Sequence, residues 1–490
     1  MRQYLFATFG LGLLMATPVQ AAPTFNVTST VDAADTNPGD GKCEANVIGG
    51  FTKATAVQPL KLTQRWRVAD VLAGRVVELG PVFQIPGGRP GIRLRKPCTL
   101  RAAVEESNAT PGYPWPQIKL PAGTYKLTKG QLAITRTVSI TGDAASSTIV
   151  DGNNSSRHLR VDNGEHSVYA YLNKLTFANG RNNDSFSGGG SISIGAKAYV
   201  SLSESVVRDN YSQVLGGAIY VGGDLQLYKT TIADNQVPSN MGGGMMYSGG
   251  GILISSNGSA KIKRSTIAGN QASRGGGIRN GGGRLDMENS TVSGNRATFR
   301  GGGIMTYGRT EIFQSTITQN QANYGNVSGS EDRAGGGIYN DTGLLFVSKS
   351  IVAGNTDNQS KYAAKYSPDC YSKPVPSYGN KRILISYRGN VIGVSNDNCK
   401  VYDYSWGLSS NFDQVGTDAT PLDPQLHSLT YNGGLTKTHL PKWTSPAIDK
   451  GNGYNFSLAD KDHDQRGASR PYGANPDAGA VERGATVPAE

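Results

Sequence analysis

Between Gly258 and Thr310 the chain carries nine basic residues, Lys261, Lys263, Arg264, Arg274, Arg279, Arg284, Arg296, Arg300 and Arg309, against two acidic ones, Asp286 and Glu288. Their placement is periodic. Arg274 and Arg300 each directly precede a Gly-Gly-Gly triplet, and Arg284 and Arg309 each stand eleven residues before an asparagine, Asn295 and Asn320. If equivalent positions stack in space, two vertical pairs of arginines result, which is unfavourable unless the side chains splay into solvent or a polyanion neutralises them. Tyr307, Tyr324, Tyr339, Phe299 and Met305 add aromatic and apolar surface suited to sugar rings. The chemistry on offer is recognition of an acidic polymer, such as a uronate polysaccharide or lipopolysaccharide. The expected binding residues are Arg274, Arg279, Arg284, Arg300, Arg309, Tyr307 and Tyr339, and the binding should weaken as salt rises. The plain alternative is a solvated basic surface.

Two catalytic readings use the same stretch. A polysaccharide lyase needs a cation on the uronate carboxylate and a base for the adjacent proton, roles Arg279 and Tyr307 match in outline. A glycoside hydrolase needs paired carboxylates, and Asp286 and Glu288 alternate onto one face about 7 Å apart. The competing reading of that pair is ionic contact with Lys261, Lys263 or Arg264 on a neighbouring coil. Asp460-Lys461-Asp462-His463-Asp464 starts like a calcium loop but has Gln465 where glycine is needed and Pro471 where glutamate is needed. Asp209 and Asp234, each just before an asparagine, read as turn chemistry. The five histidines, His158, His166, His427, His439 and His463, show no metal spacing. The expectation is a chain without metal or cofactor, with no specific nucleic-acid partner.

These residues are positioned by a repeat. Six segments share one template, from Ser205-Val206-Val207-Arg208-Asp209-Asn210 through Ser315-Thr316-Ile317-Thr318-Gln319-Asn320 to Ser350-Ile351-Val352-Ala353-Gly354-Asn355, with the asparagines 25, 35, 25, 25 and 35 residues apart. Sixteen to eighteen residues before each asparagine stands Ile192, Ile219, Ile252, Ile278, Ile304 or Ile338, and eight before it Leu202, Leu227, Ile262, Met287, Ile312 or Val347. Period-two alternation broken by glycine and asparagine predicts short strands and turns. A 25-residue unit of this kind is one coil of a parallel β-helix, with equivalent residues stacked about 4.8 Å apart. The asparagines would form an inward ladder between coils and the aliphatics a core. The row six residues before each asparagine, Glu204, Lys229, Arg264, Asn289, Gln314 and Lys349, reads as an exposed polar ladder. The solenoid should run over 115–415, on the order of twelve coils. The longer spacings place two insertions, about 236–249 and 321–334, at one corner three coils apart. They would rim the basic coils like a groove.

Composition bounds the rest. The 490 residues include 48 Lys+Arg and 37 Asp+Glu, a net charge of +11, with 65 glycines and 37% apolar residues. That is enough apolar material for a core and argues against disorder; the glycines are too few and too irregular for collagen. Beyond the first twenty residues no apolar run could span a membrane. Residues 1–21 read as a secretory signal, with Arg2, the apolar stretch Leu5 to Met15 and a small-residue site ending at Ala21. The mature chain, at +10, is therefore expected to be secreted, extracellular or at the cell surface, with the periplasm also compatible, and without a transmembrane anchor. In an oxidising compartment Cys43, Cys98, Cys370 and Cys399 should form two disulfides. Of three pairings, sequence proximity favours Cys43 with Cys98 and Cys370 with Cys399. The basic segment Glu44 to Pro97 between the first two cysteines has no clear reading.

The Gly-Gly-Gly-Ile and Ser-Thr-Ile-x-x-Asn units resemble the repeats of polymorphic outer-membrane proteins. Asp40-Gly41-Lys42-Cys43 and Cys98-Thr99-Leu100-Arg101-Ala102-Ala103-Val104 are similar to the N-terminal cap of exported bacterial β-helix proteins with a Cys-Ser-Leu-Arg-Glu-Ala signature. Asn432-Gly433-Gly434-Leu435-Thr436, Ser445-Pro446-Ala447-Ile448-Asp449, Asp464-Gln465-Arg466-Gly467 and Asp477-Ala478-Gly479-Ala480-Val481-Glu482 resemble the associated choice-of-anchor family. The resemblance covers almost the whole mature chain. It implies an all-β, right-handed parallel β-helix at the cell surface or secreted. An N-terminal cap would occupy 22–114 and an irregular C-terminal capping region 416–490. It implies no particular reaction. The 54 residues between Cys43 and Cys98 and the missing terminal anchor depart from the pattern. The combined expectation is a monomeric, adhesin-like binder of acidic polysaccharide or cell-surface glycans, with the lyase or hydrolase as alternative.

Overall fold

The computed structural model describes residues 21–45, 96–238, 248–324, 334–358, 366–374, 379, 383–403, 413–452 and 462–489. The signal segment up to residue 20, most of the basic insertion and the centres of both predicted corner loops lie outside them. Within each repeat the alternation of apolar and polar residues produces three short strands, and each pairs in parallel with its equivalents before and after. Ile278–Asn280, Arg284–Glu288 and Thr291–Ser293 are one such set. Stacking generates a first sheet of 12 strands, a second of 11 and a third of 9, in each of which the paired strands are parallel. This is the expected parallel β-helix. A short corner ladder, including Gln271–Arg274 and Arg296–Arg300, joins the second sheet to the third.

Register explains the core. Ile192, Ile219, Ile252, Ile278, Ile304 and Ile338 are successive partners in the third sheet, and all are fully buried. Leu202, Leu227, Ile262, Met287, Ile312 and Val347 do the same in the first sheet. Val207, Ile232, Ile267, Val292, Ile317 and Val352 complete the wall in the second. Each coil thus buries three aliphatic side chains, each contributing roughly 2 kcal/mol of transfer free energy.

The asparagines form the inward ladder their spacing predicts. Asn270 donates from its backbone N–H and its Nδ2 to Oδ1 of Asn295, at 3.0 and 2.9 Å, and Asn295 repeats this to Asn320 at 3.1 and 2.9 Å. Each Nδ2 also reaches a strand carbonyl of the preceding coil, that of Asn295 reaching Ile267. The row ends at Asp369, whose Oδ1 accepts from Asn355 N and Nδ2 at 3.0 and 2.9 Å. Asp369 comes from the rung of the third glycine, since Ile338 N–H donates to its carbonyl as Ile278 N–H does to Gly303. A carboxyl suits a last rung, because it accepts both Asn355 N–H groups and has no further coil to donate to. A parallel row of Ser265, Ser290, Ser315 and Ser350 hydroxyls ends the same way, through Asn390 on Asp413.

The glycines sit where coils touch. A Cβ on Gly302 would lie 2.4–2.5 Å from the Gln321 backbone, and Gly301 adopts φ +63°. The row six residues before each asparagine is a left-handed corner, φ 42–50°, which explains its polar, unbranched residues. It is not an exposed ladder throughout: Asn289, Gln314 and Lys349 are buried. The cause is the C-terminal region, which runs back along the second sheet. Thr436 Oγ1 donates to the Arg264 carbonyl, Thr266 Oγ1 to the Lys437 carbonyl, Thr291 Oγ1 to Gln465 Oε1, and Ala480 N–H to Thr316 Oγ1. The outward threonines of the Ser-Thr-Ile units are thus the docking points of this flank.

At the N-terminal end Thr24–Asn26 pairs with Gln117–Leu120, so the first sheet begins ahead of residue 115. Helix α1, Leu100–Ala109, packs against Gln117–Leu120 and Leu132–Ile134 and covers the first coil. Thr99 caps it, its side chain accepting from Ala102 N–H at 3.2 Å. The absence of helical periodicity expected from the repeats does not extend to this segment. Glu106, buried in the helix, accepts from Gly39 and Gly41 N–H, and Arg101 pairs with Asp32 at 2.6 Å. Cys43 is bonded to Cys98 and Cys370 to Cys399, the pairing that proximity favours. No described helix is long and apolar enough to cross a membrane.

Candidate functional site

The predicted binding residues stand on three different ladders. Arg274 and Arg300 are strand neighbours on the corner ladder, and Arg284 and Arg309 are strand neighbours in the first sheet, so both vertical arginine pairs exist. Arg279 follows Leu253 in a row of the third sheet that continues through Met305, Tyr339 and Tyr371. The corner and third-sheet residues come together; Arg284 and Arg309 face elsewhere.

Where they meet, arginines lie over aromatic faces. The guanidinium carbon of Arg274 is 5.5 Å from the ring centre of Phe299, that of Arg279 5.3 Å from Tyr307, and that of Arg300 5.3 Å from Tyr339. Arg296, which was not among the expected binding residues, lies 4.8 Å from Tyr324. Tyr339 stacks on Tyr371 at 4.9 Å and 14°, and Met305, Ala334 and Tyr307 complete the apolar support. A guanidinium held beside a ring can still present a fork of N–H donors outward for a two-point contact with a carboxylate. Burial grades the set. Arg274 is only 3% exposed, Arg279 and Arg300 are half-buried, and Arg296 is exposed. Burial lowers the Arg279 guanidinium below its ordinary value, with Tyr307 opposing, and raises the Tyr339 phenol. Arg279 also donates from Nη1 to Ser248 Oγ at 3.0 Å. The Tyr339 hydroxyl is buried without a hydrogen-bond partner among the described residues.

Arg284 and Arg309 are exposed and locally balanced. Arg284 contacts Asp286 at 2.8 Å and Glu311 at 3.5 Å, and Arg309 contacts Glu311 at 2.5 Å. Lys263 contacts Glu288 at 3.0 Å. Glu288 therefore pairs with the neighbouring coil as the ionic reading expects, whereas Asp286 pairs with Arg284 on its own strand. Such exposed contacts contribute about 0–1 kcal/mol each.

The insertions join the solenoid at this corner. Gly249 N–H donates to the Arg274 carbonyl, Gly275 N–H to Arg300, Gly301 N–H to Ala334 and Gly335 N–H to Ser367. Ser248 and Ala334, where the two loops return, thus occupy the same rung as Arg274 and Arg300. The spans 239–247 and 325–333 lie outside the described residues, so the groove rims do too. A third interruption rejoins at Ser367; the 15 residues from Asn355 to Cys370, against 8 from Asn270 to Ile278, are its signal in the sequence.

The weaker candidates have structural roles. Asp464 is buried against Arg466 at 2.7 Å, while Asp460 and Lys461 lie outside the described residues. Asp209 and Asp234 hold left-handed turns, φ 57° and 55°. His158 is fully buried between Ser191 Oγ and the Ala178 carbonyl, and burial pushes it down to about 4. Sequence reasoning missed an aromatic strip at the first sheet, of exposed Tyr113, Trp115 and Tyr169 and half-buried Tyr171 and Tyr199. The Tyr-x-Tyr alternation at 169–171, with Tyr199 one coil on, was the available signal. No family model matches the chain, and comparison with curated proteins finds no relative.

Proposed function

We propose that the chain is an exported β-helix protein of the Cys-Ser-Leu-Arg-Glu-Ala and choice-of-anchor type that binds acidic polysaccharide outside the cell, as a monomer and without transforming it. One observation carries this reading: Arg274, Arg279, Arg296 and Arg300, from neighbouring coils, are each laid over an aromatic ring along one corner. That arrangement sets carboxylate-reading guanidinium edges along one corner on an aromatic bed, of which Phe299 and Tyr339 are buried and Tyr307 and Tyr324 half-buried. The two disulfides are compatible with an oxidising compartment.

The test is glycan-array binding by the mature chain at low and high salt, with a product assay on every hit. Acidic glycans should bind and lose affinity steeply with salt. Arg296→Gln with Arg300→Gln should lower affinity at this corner at least tenfold at unchanged melting temperature; these two are chosen because Arg274 is buried. Unaltered binding by that double variant would overturn the site. New ultraviolet absorbance from unsaturated uronate, or new reducing ends, would overturn the non-catalytic reading in favour of a lyase or hydrolase.

A further inference from the structure

The outward face of the first sheet changes character along the axis. Over its middle coils it carries Lys261, Arg284, Asp286, Arg309 and Glu311. Over its early coils it carries aromatic rings in continuous contact. Tyr113 meets Trp115 edge-on at 5.3 Å, Trp115 stacks on Tyr171 at 6.1 Å and 28°, Tyr171 meets Tyr199 at 6.1 Å, and Tyr199 meets its strand partner Tyr169 at 5.7 Å. Tyr113 is 77% exposed, Trp115 43% and Tyr169 41%, while Tyr171 and Tyr199 between them are half-buried. An exposed strip of this kind is costly to maintain in water and marks a binding surface.

Beside it is a shallow pocket of about 190 Å³ with Trp115 in its wall, lined also by Thr135, Arg136, Thr137, Asn163 and His166. Its walls are held in place by backbone contacts. Asn163 Nδ2 donates to the Thr135 carbonyl at 2.8 Å, Asn108 Oδ1 accepts from Thr135 N–H at 2.9 Å, and Thr137 Oγ1 accepts from Tyr169 N–H at 3.3 Å. Arg136 is exposed, and no described carboxylate lies within ion-pair distance of it. The surface therefore offers ring faces, a polar recess and a cation in one place.

We propose that this strip and pocket form a second saccharide site, taking a carboxylated pyranose chain whose C–H faces lie on Trp115, Tyr171 and Tyr199 and whose carboxylate meets Arg136. Aromatic faces suit the apolar side of a pyranose ring, hydroxyl and amide groups its edge, and a guanidinium its carboxylate. Aromatic rings alone suit a protein as well as a sugar; the adjoining recess of hydroxyl and amide groups beside Arg136 is what favours the saccharide. The site uses coils and a sheet other than those of the arginine corner, so it stands or falls separately from the corner.

The test uses the folded mature chain with a linear hexuronate oligosaccharide and its carboxyl-reduced counterpart, read by calorimetry and tryptophan fluorescence. The uronate should bind and shift the tryptophan emission in wild type and in the Arg296→Gln, Arg300→Gln variant alike. Trp115→Ala should remove the fluorescence change, and Trp115→Ala or Tyr171→Ala should lower affinity at this site at least tenfold, each with an unchanged melting temperature. Arg136→Gln should weaken the uronate about tenfold while leaving the carboxyl-reduced chain unaffected. Binding unchanged when Trp115→Ala is added to the folded corner variant, or all binding lost in the corner variant alone, overturns the proposal. All binding lost in Trp115→Ala overturns the corner instead.

Discussion

Replacing Asp369 by asparagine should change how stability depends on pH. Asp369 is fully buried, and burial pushes its carboxyl from the ordinary aspartate value of 3.8 up to about 7, against three N–H donors from Asn355 and Val394. Between those two values the folded chain holds a proton that the unfolded chain has released. Folding stability therefore falls as pH rises from about 4 to about 7 and stays low above. At about 1.36 kcal/mol per tenfold change in acidity, the effect of this one group is on the order of 4 kcal/mol. Asp369→Asn keeps the acceptor for Asn355 but replaces the other oxygen with an N–H donor, costing about 1–3 kcal/mol for a mismatched buried contact. The variant should be less stable than wild type at pH 4, and the difference should shift in its favour by about 4 kcal/mol as pH rises to 8, where it should be equal or more stable. The assay is denaturant unfolding of both proteins across that range, with hydrogen exchange on the amides of Asn355 and Val394 to locate the effect. Taking the difference between the two proteins cancels other titrating groups such as His158, which burial moves in the opposite direction. A difference that does not vary with pH would refute the reasoning.

Three further outcomes follow from the coil geometry. Gly302→Ala places a Cβ 2.4–2.5 Å from the Gln321 backbone and should destabilise by at least about 2 kcal/mol, whereas Gly294→Asn, whose nearest neighbour is 4.0 Å away and whose φ of +67° asparagine tolerates, should change the unfolding midpoint by less than about 1 kcal/mol. Arg470→Ala breaks a fully buried pair with Glu482 and should cost about 3–5 kcal/mol, seen as early proteolytic release of the C-terminal flank. Cys98→Ser opens a bond of sequence separation 55 and should lower stability by up to about 4 kcal/mol under oxidising conditions, with no effect when wild type and variant are both reduced.

The repeat made most of the solenoid readable. Fixed spacing from isoleucine to leucine to asparagine determines which residues stack, so the aliphatic rows, the asparagine ladder and the pairing of Arg274 with Arg300 all follow from counting. Counting does not show what lies over a face. Asn289 and Gln314 occupy the same rung as Glu204, yet residues some 150 positions later bury them. Nor does it show which charges are balanced: Glu311 falls one residue beyond the basic stretch and answers both Arg284 and Arg309. Trp115 precedes the first regular strand of its coil, so its contact with Tyr171 belongs to no repeat.

A stack of coils is ordinarily a one-dimensional system, in which each unit senses only its neighbours and disturbances fade along the row. The C-terminal flank changes that connectivity. Bonds to Arg264, Thr266, Thr291, Thr316 and Lys349 tie coils that never touch to a single polypeptide segment. Opening any one of them strains the fastening of the others. The middle of the molecule should therefore melt as one block, while the early coils, which show no such fastening among the described residues, open separately from it.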